Sequence, residues 1–139
     1  MKKINIICIL LAAMMLFTVS GCVFVTENPE NGKSVAEATE LGVGEKQFLL
    51  TVTDDRGKES AYLINTDKET VGEALEELKV IEGEEGPYGL YIKTVNGLTV
   101  EYTDGGKYWA FFVDGQYATA GVDVTKIDEK AEYSLKVQH

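Results

Sequence analysis

Histidine, cysteine and positive charge are scarce in this sequence, and each scarcity removes a class of chemistry. The single histidine, His139, stands at a terminus rather than inside a packed segment. That argues against a Ser-His-Asp set, which needs an imidazole held by its neighbours. No His/Cys cluster is present to hold zinc. The two cysteines, Cys8 and Cys22, both fall in the first 22 residues. Everything downstream therefore lacks a disulfide and a thiol nucleophile, and must be stabilised by its core. Thirteen Lys and Arg face 23 Asp and Glu, a formal charge of −10. Nucleic-acid affinity depends on basic side chains neutralising phosphates, and anionic lipid attracts basic segments, so neither is an expected partner. Such a charge keeps a domain soluble. No glycine-rich phosphate loop occurs, and no carboxylate pair is singled out for glycoside hydrolysis. The expectation is a protein that is not an enzyme and holds no metal.

Long apolar runs are also missing, with one informative exception. Lys2 and Lys3 precede a mostly apolar stretch over residues 4–19, followed by Val19-Ser20-Gly21-Cys22. The stretch falls short of the roughly 20 residues that span a bilayer, and Asn5 and Thr18 interrupt it. A basic n-region, an apolar h-region and a small-residue cleavage site make a secretory signal. The cysteine after the small residues turns that signal into a lipobox. Residues 1–21 are expected to be removed and Cys22 acylated with diacylglycerol, anchoring the protein to the outer face of a bacterial cell membrane. An ordinary secretory signal and a single transmembrane helix are the rival readings. Removing residues 1–21 moves the formal charge to −12 and leaves 118 residues, which suits one domain.

Residues 22–45 read as a lipidated flexible tether, rich in Glu, Gly, Ser and Thr with little apolar periodicity. Order is expected over 46–139. Phe48, Leu50 and Val52 alternate with polar positions, Asp54-Asp55-Arg56-Gly57 is turn chemistry, and Glu59–Thr66 alternates again, predicting a β-hairpin. Thr70-Val71-Gly72-Glu73 has capping-box spacing and opens a helix with an apolar stripe of Val71, Ala74, Leu75 and Leu78. That helix is expected to stop near Val80. Glu82-Gly83-Glu84-Glu85-Gly86-Pro87 reads as a loop without the ligand spacing of an EF-hand. Tyr88–Val95 and Leu98–Tyr102 flank Asn96-Gly97, a strong hairpin signal. Tyr108–Val113 is an aromatic strand closed by Asp114-Gly115, residues 117–124 are irregular with a bend at Gly121, and Glu132–Val137 is a last strand. A mixed sheet over one helix, an α+β fold, accommodates this order.

Eight aromatics between Tyr88 and Tyr117 form the one unusual concentration. Tyr108-Trp109 and Phe111-Phe112 must point to opposite faces of their strand. One face is core; the other is covered or offers an apolar recognition surface, for which aromatic rings are well suited. Thr70-Val71-Gly72-Glu73-Ala74-Leu75, Gly89-Leu90-Tyr91-Ile92, Val95-Asn96-Gly97 and Tyr108–Gly115 running into Gly121-Val122-Asp123 carry a resemblance. Through them, residues 46–137 resemble the transcobalamin C-terminal-like domains of bacterial lipoproteins, a domain of unknown function (number 4430). The resemblance implies a β-grasp-like fold that binds a soluble ligand. Vertebrate relatives use such a domain to cover one face of cobalamin, against a large helical domain for which this chain has no room. It implies a ligand role at Tyr108-Trp109 and the Gly121-Val122 bend. With the neighbouring aromatics, the expected binding set is Tyr88, Tyr91, Tyr108, Trp109, Phe111, Tyr117, Gly121 and Val122. The expected function is non-catalytic binding of a small ligand, a cobamide or another tetrapyrrole, with no resident cofactor. The alternative is a cell-surface module that docks a protein or glycan. Partners are then the membrane through the anchor, and a ligand, transporter or surface protein.

Overall fold

A computed structural model describes residues 37–139; the signal, Cys22 and most of the expected tether lie outside the described residues. The elements run β1 (Thr39–Gly42), β2 (Lys46–Thr53), β3 (Glu59–Thr66), α1 (Val71–Glu77), β4 (Ile81–Gly86), β5 (Gly89–Val95), β6 (Leu98–Thr99), β7 (Tyr108–Val113), β8 (Gln116–Tyr117) and β9 (Glu132–Gln138). One sheet has the order β1-β3-β2-β9-β7-β8, and a second has the order β4-β5-β6. In the larger sheet β2–β3, β7–β8 and β7–β9 are antiparallel, while β1–β3 and β2–β9 are parallel. The expected α+β class, with mixed and antiparallel sheets and a single short helix, is what the described residues form.

The core follows from side-chain alternation along paired strands. Leu50 lies opposite Tyr62 and Tyr133, and Phe111 opposite Leu135. These residues share one face with Phe48, Val52 and Trp109. That face packs on Val71, Ala74 and Leu75 of α1 and on Ile81, Ile92 and Val95 of the smaller sheet in one continuous cluster. Tyr133 is its centrepiece, with Phe48 edge-on at 5.3 Å and Phe111 stacked at 6.0 Å.

Helix α1 begins as its sequence dictates. Thr70 accepts the Glu73 N–H through Oγ1 at 3.3 Å, and Glu73 Oε2 accepts the Thr70 N–H at 3.2 Å. A lost N-cap costs about 1 kcal/mol, so Thr70→Ala is expected to lower the unfolding free energy by about that much, read as a lower urea midpoint at unchanged slope. The helix ends at Leu78, and Lys79 takes the left-handed φ of 58° usually left to glycine. Val80 N–H then returns to Leu75 O at 2.9 Å.

Three segments differ from expectation. The last part of the expected tether is not free: Thr39–Gly42 pair in register with Tyr62–Asn65, and Leu41 packs on the core. The ordered region therefore starts upstream of Lys46. Residues Glu82–Gly86, expected to be a loop, form most of β4. They pair with β5 across a bulge at Glu82/Gly83, and Glu84 meets Lys93 at 2.9 Å. The expected strand Leu98–Tyr102 shrinks to Leu98–Thr99, with turns following.

Candidate functional site

The expected binding residues separate into three places. Phe111 and Val122 are core, at 7 % and 1 % exposure, and neither is among the residues lining the cleft described below. Tyr108 and Tyr117 lie on the other face of β7 and its edge partner β8, together with Phe112. Tyr117 packs edge-on to Phe112 at 5.2 Å, and Lys136 sits over the Phe112 ring at 5.5 Å. A hydrogen bond with Tyr108 holds the Tyr117 phenol above its ordinary range. Tyr88, at 96 % exposure, and Tyr91 belong to the β4–β5 hairpin.

Gly121 lies near Tyr88 through a shared carboxylate. A Cβ on Gly89 or Gly121 would stand 2.9 or 2.4 Å from Asp123 Oδ1, and that buried oxygen has no hydrogen-bond partner among the described residues. The segment carrying Asp123 is fixed on the helix start. Val71 and Gly72 donate their N–H groups to Thr125 O and Val122 O at 2.9 and 2.8 Å. Gly72 permits this approach, since a Cβ there would come within 2.9 Å of the Asp123 backbone. Val122 and Thr125 thus clasp the start of α1, and Gly121 closes the turn between them by accepting the Thr125 N–H. Among the described residues no three His, Cys, Asp or Glu side chains come together as metal ligands.

Trp109 belongs elsewhere. It lines a cleft of about 210 Å³ between the open ends of the two sheets. From the larger sheet come Val52, Ser60 and Tyr62, which alternation places on the core face, with Asp54 and Lys58 from the β2–β3 turn. From the smaller sheet come Val95, Asn96 and Leu98. Asn96 and Gly97 have φ of 51° and 79°, the two positive values of a tight hairpin turn. Asn96 N–H donates to Val80 O at 2.9 Å, and Asn96 Nδ2 donates to Tyr62 Oη at 3.0 Å. The opposite lip is equally organised. Asp54 Oδ1 accepts the N–H groups of Arg56 and Lys58 at 2.8 and 2.9 Å. Trp109 itself is 6 % exposed, and its buried Nε1–H has no acceptor among the described residues.

Of the expected set, only Trp109 reaches this cleft. Tyr62, Lys58 and Asn96 were missed because each had a sufficient local role: strand, turn exit and hairpin turn. No sequence signal joins them, since they meet only when the two sheets close. Tyr108 and Tyr117 stay with β7 and β8, and Tyr88 and Tyr91 with the β4–β5 hairpin; none of the four lines the cleft.

Comparison with known proteins places this geometry in context. Residues 68–137, half of the chain, match the family model described as "Domain of unknown function (DUF4430)". No curated protein matches. Among solved structures, a candidate metal-binding protein from Ruminococcus gnavus aligns at 27 % identity with a TM-score of 0.64, covering 68 % of this chain and 98 % of that one. Haptocorrin, solved in complex with Cbi, aligns at 13 % identity with a TM-score of 0.53, covering 76 % of this chain and 28 % of haptocorrin. The chain thus spans little more than a quarter of haptocorrin, and that likeness is one of fold.

Proposed function

Because the chain belongs to the DUF4430 family and is related to the transcobalamin-type C-terminal domain, we propose that it binds a soluble small ligand without catalysis, at the outer face of a bacterial membrane to which Cys22 anchors it. We read the fold as β-grasp-like. The β2–β3 hairpin followed by α1, and the parallel β2–β9 pair at the sheet centre, support that reading.

The observation that carries the proposal is the cleft at Trp109. A concave site where apolar and polar side chains converge is where small ligands bind, and the wall of this one holds Trp109, whose buried Nε1–H lacks an acceptor among the described residues. Burying such a donor unpaired costs about 1–3 kcal/mol, which an incoming acceptor recovers. The volume is below the ~300 Å³ at which pockets begin to enclose a drug-sized molecule. The domain therefore grips part of its ligand, and a second component or a second copy covers the rest. A cobamide or another tetrapyrrole is the ligand class that the family relation favours.

Trp109 is the sole tryptophan, so its fluorescence reports on the site directly. Titration of a cobamide, of cobinamide and of haem into the full chain is expected to quench or shift that emission, with matching calorimetric heat. Silence in both signals at high micromolar concentration would overturn stand-alone binding. Exposed Tyr88 and Tyr91 support a second reading, docking of a surface protein. It predicts capture of an envelope protein that is lost in Tyr88→Ala and retained in Trp109→Phe.

A further inference from the structure

The cleft's polar groups are unequal in what they still have to offer. Asp54 Oδ1 is engaged by two backbone N–H groups. Tyr62 Oη accepts from Asn96 Nδ2, which leaves the phenolic proton to donate. Lys58 is exposed at the cleft's lip, and its ammonium carries donors only. Trp109 Nε1, also donor-only, is in a side chain more than nine-tenths buried and has no acceptor among the described residues. Lys58 and Tyr62 therefore bring donors to the cleft, and Trp109 keeps a buried unpaired donor in its wall, beside the apolar side chains of Val52, Val95 and Leu98. A ligand group that suits them accepts hydrogen bonds, carries negative charge and ends a short apolar stem.

We propose that the cleft receives a short arm ending in a carboxylate, carried by the soluble ligand of the proposed function, on which reading this inference rests. A carboxylate is acceptor-only and matches a donor set. Its bond to Lys58 is charge-assisted, the stronger kind. A carboxamide arm of the same length keeps the carbonyl acceptor and loses that charge. An ammonium arm brings donors to donors.

The test uses three probes of matched length, butyrate, butyramide and butylamine, titrated into the 15N-labelled full chain. One tryptophan gives one indole N–H resonance, so the reporter is unambiguous. Butyrate is expected to shift it saturably over the millimolar range, butyramide to bind about tenfold more weakly, and butylamine to leave it unmoved. Trp109→Phe, which keeps a ring in the core, is expected to weaken butyrate about tenfold, read from the backbone amides of Tyr62 and Asn96. Lys58→Met, at an exposed position, is expected to erase the preference for butyrate over butyramide in a protein with an otherwise unchanged spectrum. Equal response to all three probes, or an indole resonance that butyrate does not move, overturns the inference. Failure of the tetrapyrrole titrations with butyrate still binding at Trp109 overturns the choice of ligand and leaves the carboxylate site standing. Tetrapyrrole binding with no butyrate response does the reverse.

Discussion

Tyr133→Ala is expected to destabilise the domain by about 3–5 kcal/mol, the range for removing a large aromatic from a packed core. That is a large part of the ~5–15 kcal/mol that holds a typical domain together. Tyr133 is 1 % exposed on β9, between β2 and β7, and its ring joins Phe48 to Phe111. Its hydroxyl extends the role beyond packing. Oη accepts the Asp128 N–H at 2.8 Å and donates to Lys126 O at 3.3 Å, securing the segment that leads into β9. Urea unfolding followed by circular dichroism measures the loss; a shift below 1 kcal/mol would mean that the ring is not a core element. Tyr133→Phe keeps the ring and is expected to cost about 1 kcal/mol. It also gives a pH signature. Burial raises the Tyr133 phenol above its usual value near 10. With the folded value above the unfolded one, this contribution is complete below about pH 10 and is lost as pH rises through the folded value. The wild-type protein should lose stability over that alkaline range more steeply than Tyr133→Phe.

Cys22→Ser is expected to move the protein out of the membrane fraction almost entirely. A single acyl chain gives only marginal, reversible attachment, and stable anchoring takes two signals. The diacylglycerol proposed at Cys22 would provide both chains, and the acidic chain outside the signal, at −12, offers anionic lipid no electrostatic substitute. Metabolic labelling with a radioactive fatty acid, followed by fractionation, measures the effect. Label on the wild type and none on the variant supports the lipobox. An unlabelled wild type that is secreted points to an ordinary signal; one that stays embedded points to a transmembrane segment. The domain should fold equally well in both forms, because Cys22 precedes the first described strand, Thr39–Gly42.

Much of the fold was legible because its strong signals are local. The β2–β3 hairpin, the Thr70 capping box, Asn96-Gly97 and the aromatic strand β7 each announce themselves within a few residues. Strand β4 did not. Its Glu-Gly composition shows no alternation because residues 82–86 are exposed on both faces, and only backbone pairing with β5 makes it a strand. Strand β1 was hidden for a similar reason: it is four residues long, and only Leu41 reaches the core. The candidate site was less legible than the fold. The aromatic concentration led to Trp109 but drew in Phe111, which alternation places on the same face and packing takes into the core. It overlooked Tyr62, an isolated aromatic that becomes part of a site only when β3 faces the 96–97 turn across the cleft. Sequence proximity among aromatics was a guide to strand β7 and a poor guide to a surface.

The position of β9 governs when the larger sheet can close. The β2–β3 and β7–β8 hairpins do not pair with one another; β9 fills the gap between them, about 80 residues after its partner β2. Until Glu132–Gln138 arrive, the nascent chain has two hairpins with unpaired inner edges and no Tyr133 to join Phe48 with Phe111. If the chain is exported as proposed, a sheet that completes last would leave its earlier segments threadable through a channel until Glu132–Gln138 follow. In an exported protein, that order of events would make the late central strand a timer that separates translocation from folding.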